Sequence, residues 1–337
     1  MNKREIVLSG IRSTGRLHLG NYYGALRNYI KMQEGYKCFF FIADLHSLTT
    51  HPHPDDFHAG VKTILAEYLA AGLDPEKSAL YVQSDVPEIT ELYILLNMIS
   101  YKGELERTAS FKEKIKKHSD NVNAGLLTYP VLMAADILVH RANLVPVGKD
   151  QEQHLEYARV LARRFNSMYN AEIFPEPKAF NFGADLVKVP GLDGTGKMGK
   201  SEGNGVYLYD DEATIRKKVM KAVTDSGPTE PNSKMCEAVE NIFTLLRIVS
   251  TPDTVQHFLD RYNDCTIRYG DLKKQLAEDI CKQTLPIRRR IDEIYNDEEY
   301  LRKVVRIGTE QARESACATL KEVRKAVGFR SFLGTDD

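Results

Sequence analysis

Over residues 1–190 the chain alternates short apolar runs with longer stretches of helical periodicity. Glu5 to Leu8 and Lys37 to Ala43 are apolar runs that end in turn residues, the pattern of strands buried on both faces of a parallel sheet. Ala79 to Gln83 and Leu144 to Val147 have the same character. Between them, residues 55–71 place Val61, Ile64, Leu65, Tyr68 and Leu69 on one face, and Ala71-Gly72 closes that helix. Residues 150–166 repeat the pattern with Leu155, Ala158, Leu161, Ala162 and Phe165. Strands alternating with helices of this length predict an α/β fold, a Rossmann-like doubly wound parallel sheet. Beyond residue 210 the strand pattern stops. Segments 210–223, 237–249, 252–262, 266–284 and 298–327 read as helices, with Pro252 and Pro286 as punctuation. An all-α C-terminal domain is expected there.

Composition narrows the class. The 337 residues are 42% hydrophobic and 28% charged, which excludes disordered, collagen-like and disulfide-stapled chains. The five cysteines (Cys38, Cys236, Cys265, Cys281, Cys317) are scattered without a CxxC pair, so neither a disulfide framework nor a zinc site is expected. Residues 1–202 carry 24 basic and 24 acidic side chains, and the remainder carries 22 and 23, so any polyanion site must be a local patch. The most apolar stretch, Ala124 to Val139, is interrupted by Thr128, Pro130 and Asp136 and is too short to span a bilayer. With no apolar leader at residues 1–6, a cytoplasmic location is expected.

Two segments carry chemistry. Ser9-Gly-Ile-Arg-Ser-Thr-Gly15 followed by His18-Leu-Gly-Asn21 lies between the first strand and an amphipathic helix. Ligands in open α/β sheets bind beyond the carboxyl ends of strands, next to helix N-termini that attract phosphate. Gly10 and Gly15 allow close backbone approach, Arg12 brings charge, and His18 can donate to a phosphate oxygen; a simple turn with an exposed histidine is the alternative. The second segment, residues 191–205, has six glycines among 15 residues and contains Lys197-Met-Gly-Lys-Ser201. Ammonium groups on a loop built to move would stabilise charge on departing pyrophosphate, although an interdomain linker shares this composition.

Together, a His-x-Gly-Asn element and a Lys-Met-x-Lys-Ser loop resemble the two signatures of class I aminoacyl-tRNA synthetases. Gly103-Glu-Leu-Glu-Arg107, Phe111-Lys-Glu-Lys114, Gly125-Leu-Leu-Thr-Tyr-Pro130, Leu132-Met-Ala-Ala-Asp-Ile-Leu138 and Val145-Pro-Val-Gly148 with Asp150-Gln151 narrow the resemblance to the bacterial tryptophan-specific branch. The resemblance implies a Rossmann-like catalytic domain over residues 1–205. It also implies a helical anticodon-binding domain over 206–337, whose last helix is able to pack back on the first. Implied substrates and partners are ATP with Mg²⁺, L-tryptophan, tRNA(Trp) and a second copy of the chain in a homodimer.

The residue roles carry over in the same way. His18, Asn21, Lys114, Lys197 and Lys200 form the implied catalytic set. Arg12, Ser13, Thr14, Gly20, Gly148, Lys149, Asp150, Val189, Met198, Gly199 and Ser201 join Asn21 and both loop lysines around ATP. Tryptophan would meet Asp136, Tyr129, Met133, Gln151, Val145, Val147, His46 and Gly10. Asp136 also stands out by itself, because an unpaired carboxylate in an apolar helical stretch is costly. The indole N–H only donates and suits a buried acceptor, while pairing within the core is the other reading. Core packing explains Met133 and the valines equally well, a satisfied buried histidine explains His46, and a solvated lysine explains Lys114.

Departures matter too. Gly199 stands where serine is usual, Lys149 where many relatives are acidic, and Leu8 where an aromatic is common. Cys236, Cys265 and Cys281 lack the spacing of the iron–sulfur site in some relatives, so no cluster is expected, nor a metal at His51, His53 and His58. Ile287-Arg-Arg-Arg290 and the basic face of 302–325 (Arg302, Lys303, Arg306, Arg313, Arg324, Lys325) are candidate phosphate contacts among interleaved acids. The tyrosine-specific branch and a synthetase-like paralogue with weak charging, favoured by Gly199 alone, are the alternatives.

Overall fold

The computed structural model describes all residues except 1–3, 109–110, 113–114, 116–120, 149–150, 181–187, 195, 200–201, 331 and 333–337. The chain opens with β1 (Ile6–Ile11), helix α1 (residues 19–32, with a π-helical stretch at Tyr22–Leu26), β2 (Lys37–Ile42), the short α2 (Asp44–Ser47) and α3 (Pro54–Ala71). Next come β3 (Ser78–Val82), α4 (Pro87–Met98), α5 (Lys102–Glu106), α6 (Ala124–Val139), β4 (Leu144–Val145), α7 (Glu152–Met168) and β5 (Lys178–Ala179). Helices follow: α8 (Glu212–Met220), α9 (Glu237–Val249), α10 (Pro252–Asn263), α11 (Tyr269–Asn296) and α12 (Glu298–Val327).

The five strands are all parallel, in the order β3-β2-β1-β4-β5. Strand alternation divides the core between the two faces. Val7, Cys38, Phe40, Ile42 and Leu80 join α1, α3 and the helices after residue 206 on one side. Leu8, Phe39, Phe41, Ala79 and Tyr81 pack with α4, α6 and α7 on the other. This is the doubly wound sheet that the apolar runs predict.

Edge strand β3 is not left open. Helix α12 crosses it so closely that a Cβ at Gly308 would lie 2.0 Å from the Leu80 carbonyl oxygen. A covered edge cannot pair with another chain. Arg313 holds α12 to α4 by reaching Glu88 at 2.9 Å, and Arg324 forms a two-pronged pair with Glu91 at 2.7 Å. Arg302 pairs with Glu298 at 3.0 Å. Each of these three arginines, candidates for phosphate contact by sequence, is paired with a carboxylate in the fold.

Three elements differ from the pattern reading. Pro286 does not end its helix: α11 runs through it to Asn296. Leu272, Leu276 and Ile280 before the proline and Ile291 and Ile294 after it share one buried stripe, which outweighs one missing backbone hydrogen bond. Strand β4 stops at Val145 because Pro146 has no N–H for the ladder. Strand β5 is two exposed residues, too short and polar to leave an apolar signature.

Candidate active site

Strand order reverses between β1 and β4, and a cavity of about 900 Å³ opens at the carboxyl ends of these strands. One side of it is built from backbone. His18 caps α1: its Nδ1 accepts from the Asn21 N–H at 3.3 Å, while Asn21 Oδ1 accepts from the His18 N–H at 3.2 Å. This reciprocal box fixes the first turn of the helix, whose His18, Gly20 and Asn21 line the cavity while the Leu19 N–H donates to the Val206 carbonyl at 2.9 Å. An acceptor at Nδ1 leaves the imidazole proton of the neutral ring on Nε2. Gly20 is required here, since a Cβ at that position would sit 2.8 Å from the His18 ring.

The residues before His18 are pinned from beneath. Glu67, fully buried in α3, accepts from the Leu17 N–H at 2.8 Å and from Arg16 at 3.3 Å. The Ser13 N–H donates to Ser47 Oγ at 3.1 Å. Arg12 points into the cavity with one long contact, to Thr50 at 3.5 Å, and its Nε finds no partner among the described residues. Burial lowers its pKa, with Tyr129 opposing, so an anion would be a favourable neighbour.

The lysine loop closes the same side. Met198 is buried against Gly20 and Gly205, and its N–H donates to the Val189 carbonyl at 3.0 Å. Asn204 staples the loop: it accepts from the Gly199 N–H at 3.1 Å and donates to Asp193 at 3.1 Å. Lys197 and Lys188 line the cavity mouth.

The opposite side is made of side chains. Asp136, 1% exposed, lies at the cavity floor with His46 Nε2 2.8 Å from Oδ2 and Gln83 Nε2 donating to Oδ1 at 2.7 Å. Burial pushes the Asp136 carboxyl above its ordinary range, against the hydrogen bond and charge of His46 and the hydrogen bond of Gln83. Tyr129 stands edge-on between His46 and His154, with ring centroids 4.7 and 5.2 Å away. Met133, Val145 and Val147 add apolar wall, Gly148 and Gln151 stand before α7, and Gly10 leaves room for the Phe41 ring.

The cavity thus gathers Arg12, His18, Gly20, Asn21, Lys197 and Met198 with the whole predicted amino-acid set. Ser13, Thr14, Val189 and Gly199 sit in the adjoining segments and not on its lining. Lys114, Lys149, Asp150, Lys200 and Ser201 lie outside the described residues. Sequence reasoning missed Gln83, Lys188, Glu67 and Asn204. Nothing local in the sequence marks them, because their partners lie elsewhere in the chain, as Leu17 does for Glu67 and Asp136 for Gln83.

A family model described as tRNA synthetases class I (W and Y) matches residues 1–283. The chain belongs to this family, which uses ATP, and is an aminoacyl-tRNA synthetase. It is 66% identical over 326 residues to a tryptophan–tRNA ligase of Porphyromonas gingivalis, covering 97% of this chain and all of that one. A tryptophan–tRNA ligase of Rickettsia bellii is 41% identical over 97% of this chain and 99% of its own. The crystal structure of tryptophanyl-tRNA synthetase from Campylobacter jejuni, complexed with ADP and tryptophan, superposes with a TM-score of 0.87 at 34% identity, covering 96% of this chain and all of that one.

Proposed function

We infer that the chain activates L-tryptophan with ATP and then transfers it to the 3′ end of tRNA(Trp). One observation carries this reading. A single cavity joins a cationic, glycine-lined mouth to an apolar floor holding one buried carboxylate, Asp136. The tryptophan carboxylate attacks the α-phosphorus in line, the bond to the bridging oxygen breaks, and pyrophosphate leaves. The ester then forms when a terminal ribose hydroxyl attacks the adenylate carbonyl and AMP departs. Neither step needs a side-chain nucleophile, so positioning and electrostatics supply the catalysis.

Asp136 accepts from the indole N–H, and Tyr129 and Gln151 face the ammonium group. The N-terminus of α1 with His18 and Asn21 receives the phosphates. Arg12, Lys197, Lys114 and Lys200 neutralise charge on the departing pyrophosphate. Mg²⁺ would enter with ATP and supply charge neutralisation at the phosphates; among the described residues no group of three or more His, Cys, Asp or Glu could hold a metal. The helical region from about 206 to 300 would read the anticodon. A homodimer would bury Ile94, Met98 and Tyr101, which are 54%, 76% and 58% exposed around the end of α4. No helix of the described residues is long and apolar enough to cross a membrane, in keeping with work in the cytoplasm.

The test is amino-acid-dependent exchange of labelled pyrophosphate into ATP, with a Lys200→Ala control. Exchange with tryptophan and not tyrosine, lost in the control, is the expected result. Exchange with tyrosine would overturn the reading of Asp136. No exchange with either, from folded protein that binds ATP, would favour a paralogue with weak charging.

A further inference from the structure

Each oxygen of Asp136 is held by a different side chain: Oδ2 by His46 at 2.8 Å and Oδ1 by Gln83 at 2.7 Å. Gln83 is fully buried on the 3-10 turn that follows β3 and is not among the residues lining the cavity. Whatever it does to a substrate it does through Asp136. A carboxylate held by one donor can still swing about its Cβ–Cγ bond, whereas donors on both oxygens fix its plane. Each oxygen has about two acceptor positions, so one on each remains available, and the carboxylate plane sets where it points.

We propose that Gln83 is a positioning residue for amino-acid specificity, fixing the plane of Asp136 so that an acceptor position aims at the indole N–H. The inference rests on the reading of Asp136 as the indole acceptor. Gln83 suits the task because an ionised carboxylate only accepts, so the amide must turn its NH₂ toward it, and a neutral donor leaves the negative charge uncancelled. The other end of the amide, Oε1, has no hydrogen-bond partner among the described residues. A buried unsatisfied acceptor costs stability, so the side chain earns its place by the contact at Nε2 and not by packing.

The experiment measures pyrophosphate exchange with L-tryptophan and with its analogue in which sulfur replaces the ring N–H. Wild type, Gln83→Met, Gln83→Glu and Asp136→Ala are compared. Gln83→Met keeps the length without the donor. It should raise KM for tryptophan roughly tenfold at nearly unchanged kcat, and cut the preference over the sulfur analogue by about the same factor. KM for ATP should stay within about twofold. Gln83→Glu should be defective at neutral pH and recover on acidification, when the introduced carboxyl is protonated and donates to Asp136. An unchanged preference in Gln83→Met, alongside a lost preference in Asp136→Ala, overturns the role of Gln83 alone. An unchanged preference in Asp136→Ala overturns the acceptor reading and this inference with it. Should Gln83→Met fail to fold, the isosteric Gln83→Glu decides, and failure to recover at low pH overturns the proposal.

Discussion

The two ends of the cavity are built on different principles. The mouth is local: β1, the loop after it and the first turn of α1 lie within residues 6–21, and the lysine loop adds one further segment. Its polar groups are His18 and Asn21 at the start of one helix together with the cations Arg12, Lys188 and Lys197, and Gly20 admits the His18 ring. The floor is dispersed: His46 follows β2, Gln83 follows β3 and Asp136 lies in α6, and only the folded sheet brings them together. Its working groups are buried side chains that satisfy one another. A phosphate site of the first kind tolerates a ligand that many proteins share, whereas a site of the second kind discriminates because a wrong ligand leaves buried polar groups unpaired.

The largest expected separation of the two ends comes from His18→Ala. It removes the helix cap and the Nε2 donor together, and should lower kcat for pyrophosphate exchange by roughly 10²–10³-fold. Tryptophan binding measured by calorimetry without ATP should be nearly unchanged, and a comparable loss there would mean the two ends are not separable. A smaller break is Glu67→Gln, which weakens the clamp on Leu17 and Arg16 without touching ligand. KM for ATP should rise about tenfold with KM for tryptophan unaffected, as measured by steady-state exchange.

These two residues also mark what the sequence makes legible. His18 and Asn21 are visible because the mouth is contiguous, with glycines and a cation packed into one strand-to-helix turn. Asp136 is visible because a carboxylate is out of place among Ala134, Ala135, Ile137 and Leu138. Gln83 is not: a glutamine ending an apolar run reads as the point where a strand stops, and nothing local reveals a partner in α6. Glu67 fails likewise, since its partner Leu17 is 50 residues away and offers only a backbone N–H. The sheet was legible from its apolar runs, but α11 beyond Pro286 was not, because burial across a proline is a property of the packed fold.

The packing around the helix that carries Asp136 should respond to pH. There His140 is stacked on Phe39 at 4.3 Å and bonded to the Tyr81 hydroxyl at 3.0 Å. Burial, with help from Lys37, lowers its pKa from 6.5 to about 3. The unfolded chain therefore binds this proton below pH 6.5 while the native state does not, so stability is full above that pH and falls as pH drops toward 3. Between pH 6.5 and pH 5 this one group should cost about 2 kcal/mol. His140→Gln keeps an acceptor for Tyr81 and cannot titrate, so urea unfolding of the variant should show a flatter decline over that range. An identical slope in the two proteins would show that His140 is protonated in the fold.

The smallest effect is expected at Gly199, the position that most departs from the family pattern. Its backbone is not in the left-handed region, unlike Gly194, Gly196 and Gly203 beside it, so a side chain brings no φ strain. An added Cβ would meet Glu202 Cγ at 2.9 Å, the movable part of a surface side chain, and its N–H already has Asn204 as a partner. The loop geometry that a serine hydroxyl would support is thus already supported from Asn204. Gly199→Ser should change the exchange rate by less than about threefold, in keeping with a surface change that touches no buried group. A gain of about tenfold or more would instead place the missing hydroxyl in loop closure, and would make the lysine loop, not the floor, the limiting half of the site.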